Sequence, residues 1–290
     1  MRNFCSRGLR LRSLGPALLI FGATTAWAAD GPAIVTIERG GVVEQLDLTK
    51  EALEETERRD PQLGETRSYR GVPLLRLLKT RPAPAGTDTL LLIFDNGMQV
   101  PVGLSGGALE ALDAWVVIAS RKGKEPFTGA FPEVVKKKTA TPDPRPLRFG
   151  NNKLVVARTT NPHSQKDGDF SPWLFVGTLT TLRWINGASY QAAFGGVGVP
   201  ELARGREVFL SRCQWCHGVR GHGSRQGWDF VQPVPLHSWR STSSLLAHVR
   251  YRNSSAVEGG FMMPQQADVT EEEIVELRKW MAAIATPVEQ

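Results

Sequence analysis

Over the N-terminal half of the chain, apolar and polar positions follow a strand-like period. Ala33 to Arg39 reads as a strand, Gly40-Gly41 as a turn and Val42 to Leu48 as the returning strand, which together predict a β-hairpin. Thr49 to about Glu57 is polar and reads as a short helix. Pro73 to Lys79 reads as another, with Leu74, Leu75, Leu77 and Leu78 too dense in apolar character to face water. Thr89 to Phe94 predicts a buried strand, Asn96-Gly97 a turn, and Met98 to Val102 its hairpin partner. Ala114 to Ala119, Lys153 to Arg158 and Trp173 to Ile185 read as further strands. Lys136 to Arg148, with three consecutive lysines and three prolines, has loop chemistry, either a solvated face or a docking patch for an acidic partner.

Past the composition break Gly195-Gly196-Val197-Gly198-Val199-Pro200 the period becomes helical. Leu202, Gly205, Phe209 and Cys213 fall on one stripe of a helix, Ser244 to Arg250 is a second helical run, and Thr270 with Glu273 forms a capping box. Behind that box Ile274, Leu277, Met281 and Ile284 recur at helical spacing. A chain of 290 residues is long enough for two cores. The expected fold is therefore an α+β domain over residues 30–195 followed by an all-α domain over residues 200–288.

Arg2, Arg7, Arg10 and Arg12 precede an apolar run from Leu14 to Thr25 and then Ala26-Trp27-Ala28, the pattern of a secretory signal peptide over residues 1–28. Its removal takes away four Arg, no acidic residue and Cys5, and lowers the net charge from +6 to about +2. A nucleic-acid partner is not expected from such a balance. No second apolar run is long enough to span a bilayer, so the mature chain is expected to lack an integral membrane segment and to work in the periplasm.

Only Cys213 and Cys216 then remain, in the run Cys213-Gln214-Trp215-Cys216-His217. This is C-x-x-C-H, the attachment pattern of a c-type haem. On a helix, thiols three residues apart share a face and can both form thioethers to porphyrin vinyls, while the next residue, His217, reaches the iron. The same letters could also serve as a structural disulfide, a zinc half-site or a thioredoxin-like redox pair. Zinc would need two further ligands at ordinary spacing, and the redox pair would need a βαβ frame.

Gly205, Phe209, Cys213, Cys216, His217, Gly218 and Trp280 are placed so that residues 200–286 resemble the class I cytochromes c. The resemblance implies one covalent haem c, with the last helix crossing the first where Gly205 admits Trp280. It also implies a distal methionine that precedes a proline, which selects Met263 before Pro264, with Met262 as the neighbouring rival. His222, His237 and His248 are the other candidates for a sixth ligand, and His163 lies in a polar loop.

Leu46 to Leu53, the segment Tyr69-Arg70-Gly71-Val72-Pro73-Leu74-Leu75-Arg76-Leu77-Leu78, the Asp95-Asn96-Gly97 turn and Pro172-Trp173-Leu174 resemble the molybdopterin-binding domain of the sulfite oxidase family over residues 33–187. Active members bind molybdenum through a cysteine thiolate, and residues 30–200 contain no cysteine. A working molybdopterin centre is therefore not expected, and Arg67, Arg70 and Arg148 are candidates only for a generic anion contact. The implied function is that of an exported monohaem cytochrome relaying single electrons between a periplasmic dehydrogenase and an acceptor, its N-terminal domain used for docking or scaffolding. The alternatives are a haem oxidoreductase whose N-terminal domain binds molybdopterin or substrate, and a peroxidase-like or ligand-sensing haem with an open sixth position.

Overall fold

The computed structural model describes residues 33–60, 65–129, 131, 152–156, 177–251 and 266–285. Its N-terminal part is β-rich. Strands β1 (Ile34–Arg39) and β2 (Val42–Asp47) form the expected hairpin. β5 (Thr89–Phe94) and β6 (Gln99–Gly103) form the second. With β9 (Leu179–Ile185) they make a mixed five-stranded sheet ordered β2-β1-β9-β5-β6, in which β1 and β9 run parallel. A second, antiparallel sheet is ordered β3-β4-β7-β8, from β3 (Glu54–Asp60), β4 (Glu65–Pro73), β7 (Trp115–Arg121) and β8 (Lys153–Val155). Two short helices, α1 (Leu74–Lys79) and α2 (Ala108–Leu112), complete this part.

β3 replaces most of the polar helix expected over 49–57, of which only the short turn Leu48–Lys50 is helical. The segment has no apolar stripe to hold a helix down. As an edge strand it instead places Glu55 where Arg70 reaches it from β4 at 2.6 Å and Arg121 from β7 at 3.1 Å. Cross-strand pairing thus decides a stretch whose local pattern is ambiguous.

The first core contains one buried ionic group. The Lys153 ammonium lies 2.7 Å from Asp60 Oδ2, and the Tyr69 hydroxyl donates to the same oxygen at 2.7 Å. None of the three residues is more than 1% exposed. Burial pulls the Lys153 pKa below its ordinary range, an effect that the Asp60 charge opposes.

β5 explains the unbroken apolar run in its sequence. Leu90, Leu92 and Phe94 enter the first core, whereas Leu91 and, part-buried, Ile93 join a second core on the other side of the sheet. A strand covered on both faces has no polar side to show. Part-buried Ile185 from β9 also packs against the second core.

That second core is built mainly from helices: α3 (Gly187–Ala192), α4 (Ala203–Val208), α5 (Leu236–Trp239), α6 (Thr242–Tyr251) and α7 (Glu271–Ala285). The pair β10 (Gly218–Val219) and β11 (His222–Gly223) forms a small ribbon. α3 is capped by the Asn186 side chain, which accepts from Ser189 N–H at 2.8 Å. Its Tyr190, and Phe194 just after it, belong to this core although both precede the glycine-rich break at Gly195. Among the described residues no helix is long and apolar enough to cross a membrane.

α4 and α7 cross at Gly205. A Cβ there would run into the Glu276 carbonyl oxygen and come within 2.8 Å of Trp280 Cβ. Gly205→Ala is therefore expected to force the helices apart and cost about 1–3 kcal/mol, as overpacking of a filled site does. Equilibrium denaturation measures it, and an unchanged midpoint would show that the crossing has slack.

Candidate functional site

α4 does not continue as a regular α-helix into the cysteines. Phe209–Cys213 forms a π turn, closed by Gln214 N–H donating to the Phe209 carbonyl at 3.0 Å. Such a widened turn inserts one residue into the helical count and is often found at functional positions. It is followed by a tight turn in which Cys216 N–H and His217 N–H both donate to the Cys213 carbonyl, at 3.2 and 2.9 Å. Cys213, Cys216 and His217 are thereby gathered at the end of one helical segment.

The segment is anchored from below by aromatic packing. Phe209, fully buried, stacks on Trp280 at 5.0 Å between ring centroids and meets Phe194 and Phe230 edge-on at 5.0 and 5.3 Å. Arg212 ties it to α7 through Glu273 at 3.3 Å and to the turn before α7 through Asp268 at 3.0 Å. Glu273 also completes the capping box read from the sequence: it accepts from Thr270 N–H at 2.9 Å, and its own N–H donates to Thr270 Oγ1 at 3.1 Å.

The two cysteines are not joined in a disulfide. Burial pushes each thiol up to about 12, so both are neutral S–H groups near neutral pH. Zinc and disulfide-exchange chemistry use the thiolate. Among the described residues no group of three or more His, Cys, Asp or Glu is arranged to hold a metal ion.

The imidazole of His217 is oriented by its neighbours. Its Nδ1 lies 2.7 Å from the Trp228 carbonyl oxygen. A carbonyl only accepts, so Nδ1 carries the proton and the ring lone pair sits on Nε2, the atom offered to a metal. Gly227 lies flat against the same ring: a Cβ at that position would overlap its atoms. Phe230 closes another side at 5.0 Å. Two neutral thiols beside an imidazole of fixed tautomer, over an aromatic floor, suit a porphyrin held by two thioethers and one nitrogen ligand. Gly227 and Trp228 escaped sequence reasoning, because one contributes only the lack of a side chain and the other a backbone oxygen.

Met262, Met263 and His163 lie outside the described residues. His222 is half-buried. Its Nε2 donates to the Tyr190 carbonyl at 2.9 Å, and its ring packs on Tyr190 and Phe194. His237 and His248 are part-buried on α5 and α6. Arg67 and Arg70 do not converge on one anion site. They sit on opposite faces of β4, Arg67 buried and paired with Glu65 at 2.6 Å, Arg70 paired with Glu55 and lying 4.3 Å above the Phe127 ring. Arg148 lies outside the described residues.

Residues 202–285 match the family model described as cytochrome c. The C-terminal helical region thus carries a cytochrome c-type domain. No curated protein matches the chain.

Proposed function

We propose that this chain is an exported one-electron carrier of the periplasm, with a single haem c that Cys213 and Cys216 would hold covalently and that His217 Nε2 and the sulfur of Met263 would ligate. The observation that carries the reading is the hydrogen bond from His217 Nδ1 to the Trp228 carbonyl beside two part-buried cysteines, inside a segment that matches cytochrome c. The bound group would supply the Fe(III)/Fe(II) couple.

The chain's own residues do the rest. The thiols would fix the group in place, Trp228 holds the histidine tautomer, and Phe209, Phe230 and Trp280 pack against one another beneath the segment that carries these residues. One electron enters from a reduced donor protein, and the same electron leaves to an acceptor. No bond is made or broken in the exchange. In this reading the β-rich domain, similar to the molybdopterin-binding domain of the sulfite oxidase family but without its cysteine, serves docking or scaffolding rather than molybdenum chemistry.

The reading is tested on the purified full-length protein by metal analysis with optical redox titration. One equivalent of iron and a reversible one-electron transition are expected, and molybdenum near one equivalent would overturn it in favour of an oxidoreductase. Met263→Ala should remove the weak sulfur-to-ferric-iron charge-transfer absorption and lower the potential, since methionine ligation favours the ferrous form. Met262→Ala should change neither. A reversed outcome would move the ligand by one residue.

A further inference from the structure

The β5–β6 turn of the first domain lies directly against the segment that leads to His217. Asp95 and Thr178 lock this turn to β9, through Asp95 N–H to the Thr178 carbonyl at 2.9 Å and Thr178 N–H to Asp95 Oδ1 at 2.8 Å. Asn96 Oδ1 accepts from Met98 N–H at 3.0 Å, and Gly97 adopts a φ of +83°, which a glycine accepts without strain.

The Gly97 carbonyl turned out by this geometry receives two hydrogen bonds from the second domain, Arg225 N–H at 2.8 Å and Ser224 Oγ–H at 2.9 Å. Ser224 is buried. Two residues further on, Gly227 N–H donates to the Cys216 carbonyl at 2.6 Å, a Cβ at Gly227 would collide with the His217 ring, and the next carbonyl, that of Trp228, accepts from His217 Nδ1–H. Gln99 N–H reaches the Trp215 carbonyl at 3.4 Å, and the Trp215 ring packs against the first core.

We propose that the first domain tunes the iron site, with Gly97 and Ser224 as positioning residues that set, through Gly227 and Trp228, the hydrogen bond on His217 Nδ1. The proposal rests on the electron-carrier reading above. A strong bond to Nδ1–H makes the imidazole a better donor and favours ferric iron, and loosening that bond favours ferrous iron.

The test uses the full-length holoprotein. Gly97→Ala would place a Cβ 3.2–3.3 Å from the Arg225 backbone and side chain at a left-handed φ, and Ser224→Ala removes one of the two anchoring bonds without adding bulk. Both variants are expected to keep full haem staining and to show a several-fold higher ferrous-to-ferric ratio at a fixed applied potential. Val42→Thr, at an exposed position on β2, should leave that ratio unchanged. A purely structural role for the contact would lower the melting temperature and leave the potential where it was.

Full staining with an unchanged or lowered potential in Ser224→Ala overturns the proposal, whether or not Gly97→Ala folds. Absence of covalent haem from the unmodified chain overturns the electron-carrier reading itself, and this proposal with it.

Discussion

A chain bearing both Cys213→Ala and Cys216→Ala is expected to give no haem-stained band on a denaturing gel. Thioethers form only from thiols, and the alanine side chain has no atom to replace the sulfur. Each single variant keeps one possible thioether and should lose most, rather than all, of the stable incorporation. The surrounding fold should tolerate the loss, because the aromatic floor of Phe209, Phe230 and Trp280 lies on residues that these variants leave intact. A full-strength band from the double variant would falsify the assignment of the motif.

The second large effect lies in the other domain. Lys153→Met should cost about 3–5 kcal/mol, because it leaves the Asp60 carboxylate buried with its cation gone. That is a large share of the roughly 5–15 kcal/mol by which a folded chain outweighs its unfolded state. Pairing it with Asp60→Leu should recover much of the loss, since the two charges disappear together and the Tyr69 hydroxyl is left to find a partner. Urea unfolding followed by circular dichroism measures both. A loss below about 1 kcal/mol in the single variant would mean that water reaches Asp60 and that the group is not sealed.

What could be read from the sequence was whatever short-range chemistry determines. Cys213, Cys216 and His217 sit within five consecutive residues, and the Thr270–Glu273 capping box is local, so both were legible; the box is closed in the fold, and the three motif residues lie together at the end of one helical segment. Gly205 beneath Trp280 was legible only through the resemblance to cytochrome c, and the close approach is there. The polar run at 49–57 reads as helix by its own period, and its second half is strand because it pairs with β4. Asp60 and Lys153 are 93 positions apart, and nothing in either neighbourhood announces the other. Tyr190 and Phe194 were hidden for a different reason: the glycine-rich break after them reads as a boundary, yet the second core reaches back across it.

The parallel pairing of β1 with β9 sets an order of events for a chain that emerges from its N-terminus. Thr36 must wait for Thr181 and Ile37 for Leu182, so the five-stranded sheet cannot close until nearly the whole first domain is present. Pairings this distant in sequence form slowly. The helical segments follow β9 in the chain, and the face of β5 carrying Leu91 and Ile93 belongs to their core, which is incomplete until that strand is in place. Completion of the second core is therefore coupled to closure of the first domain's sheet, through strands whose two faces serve both cores.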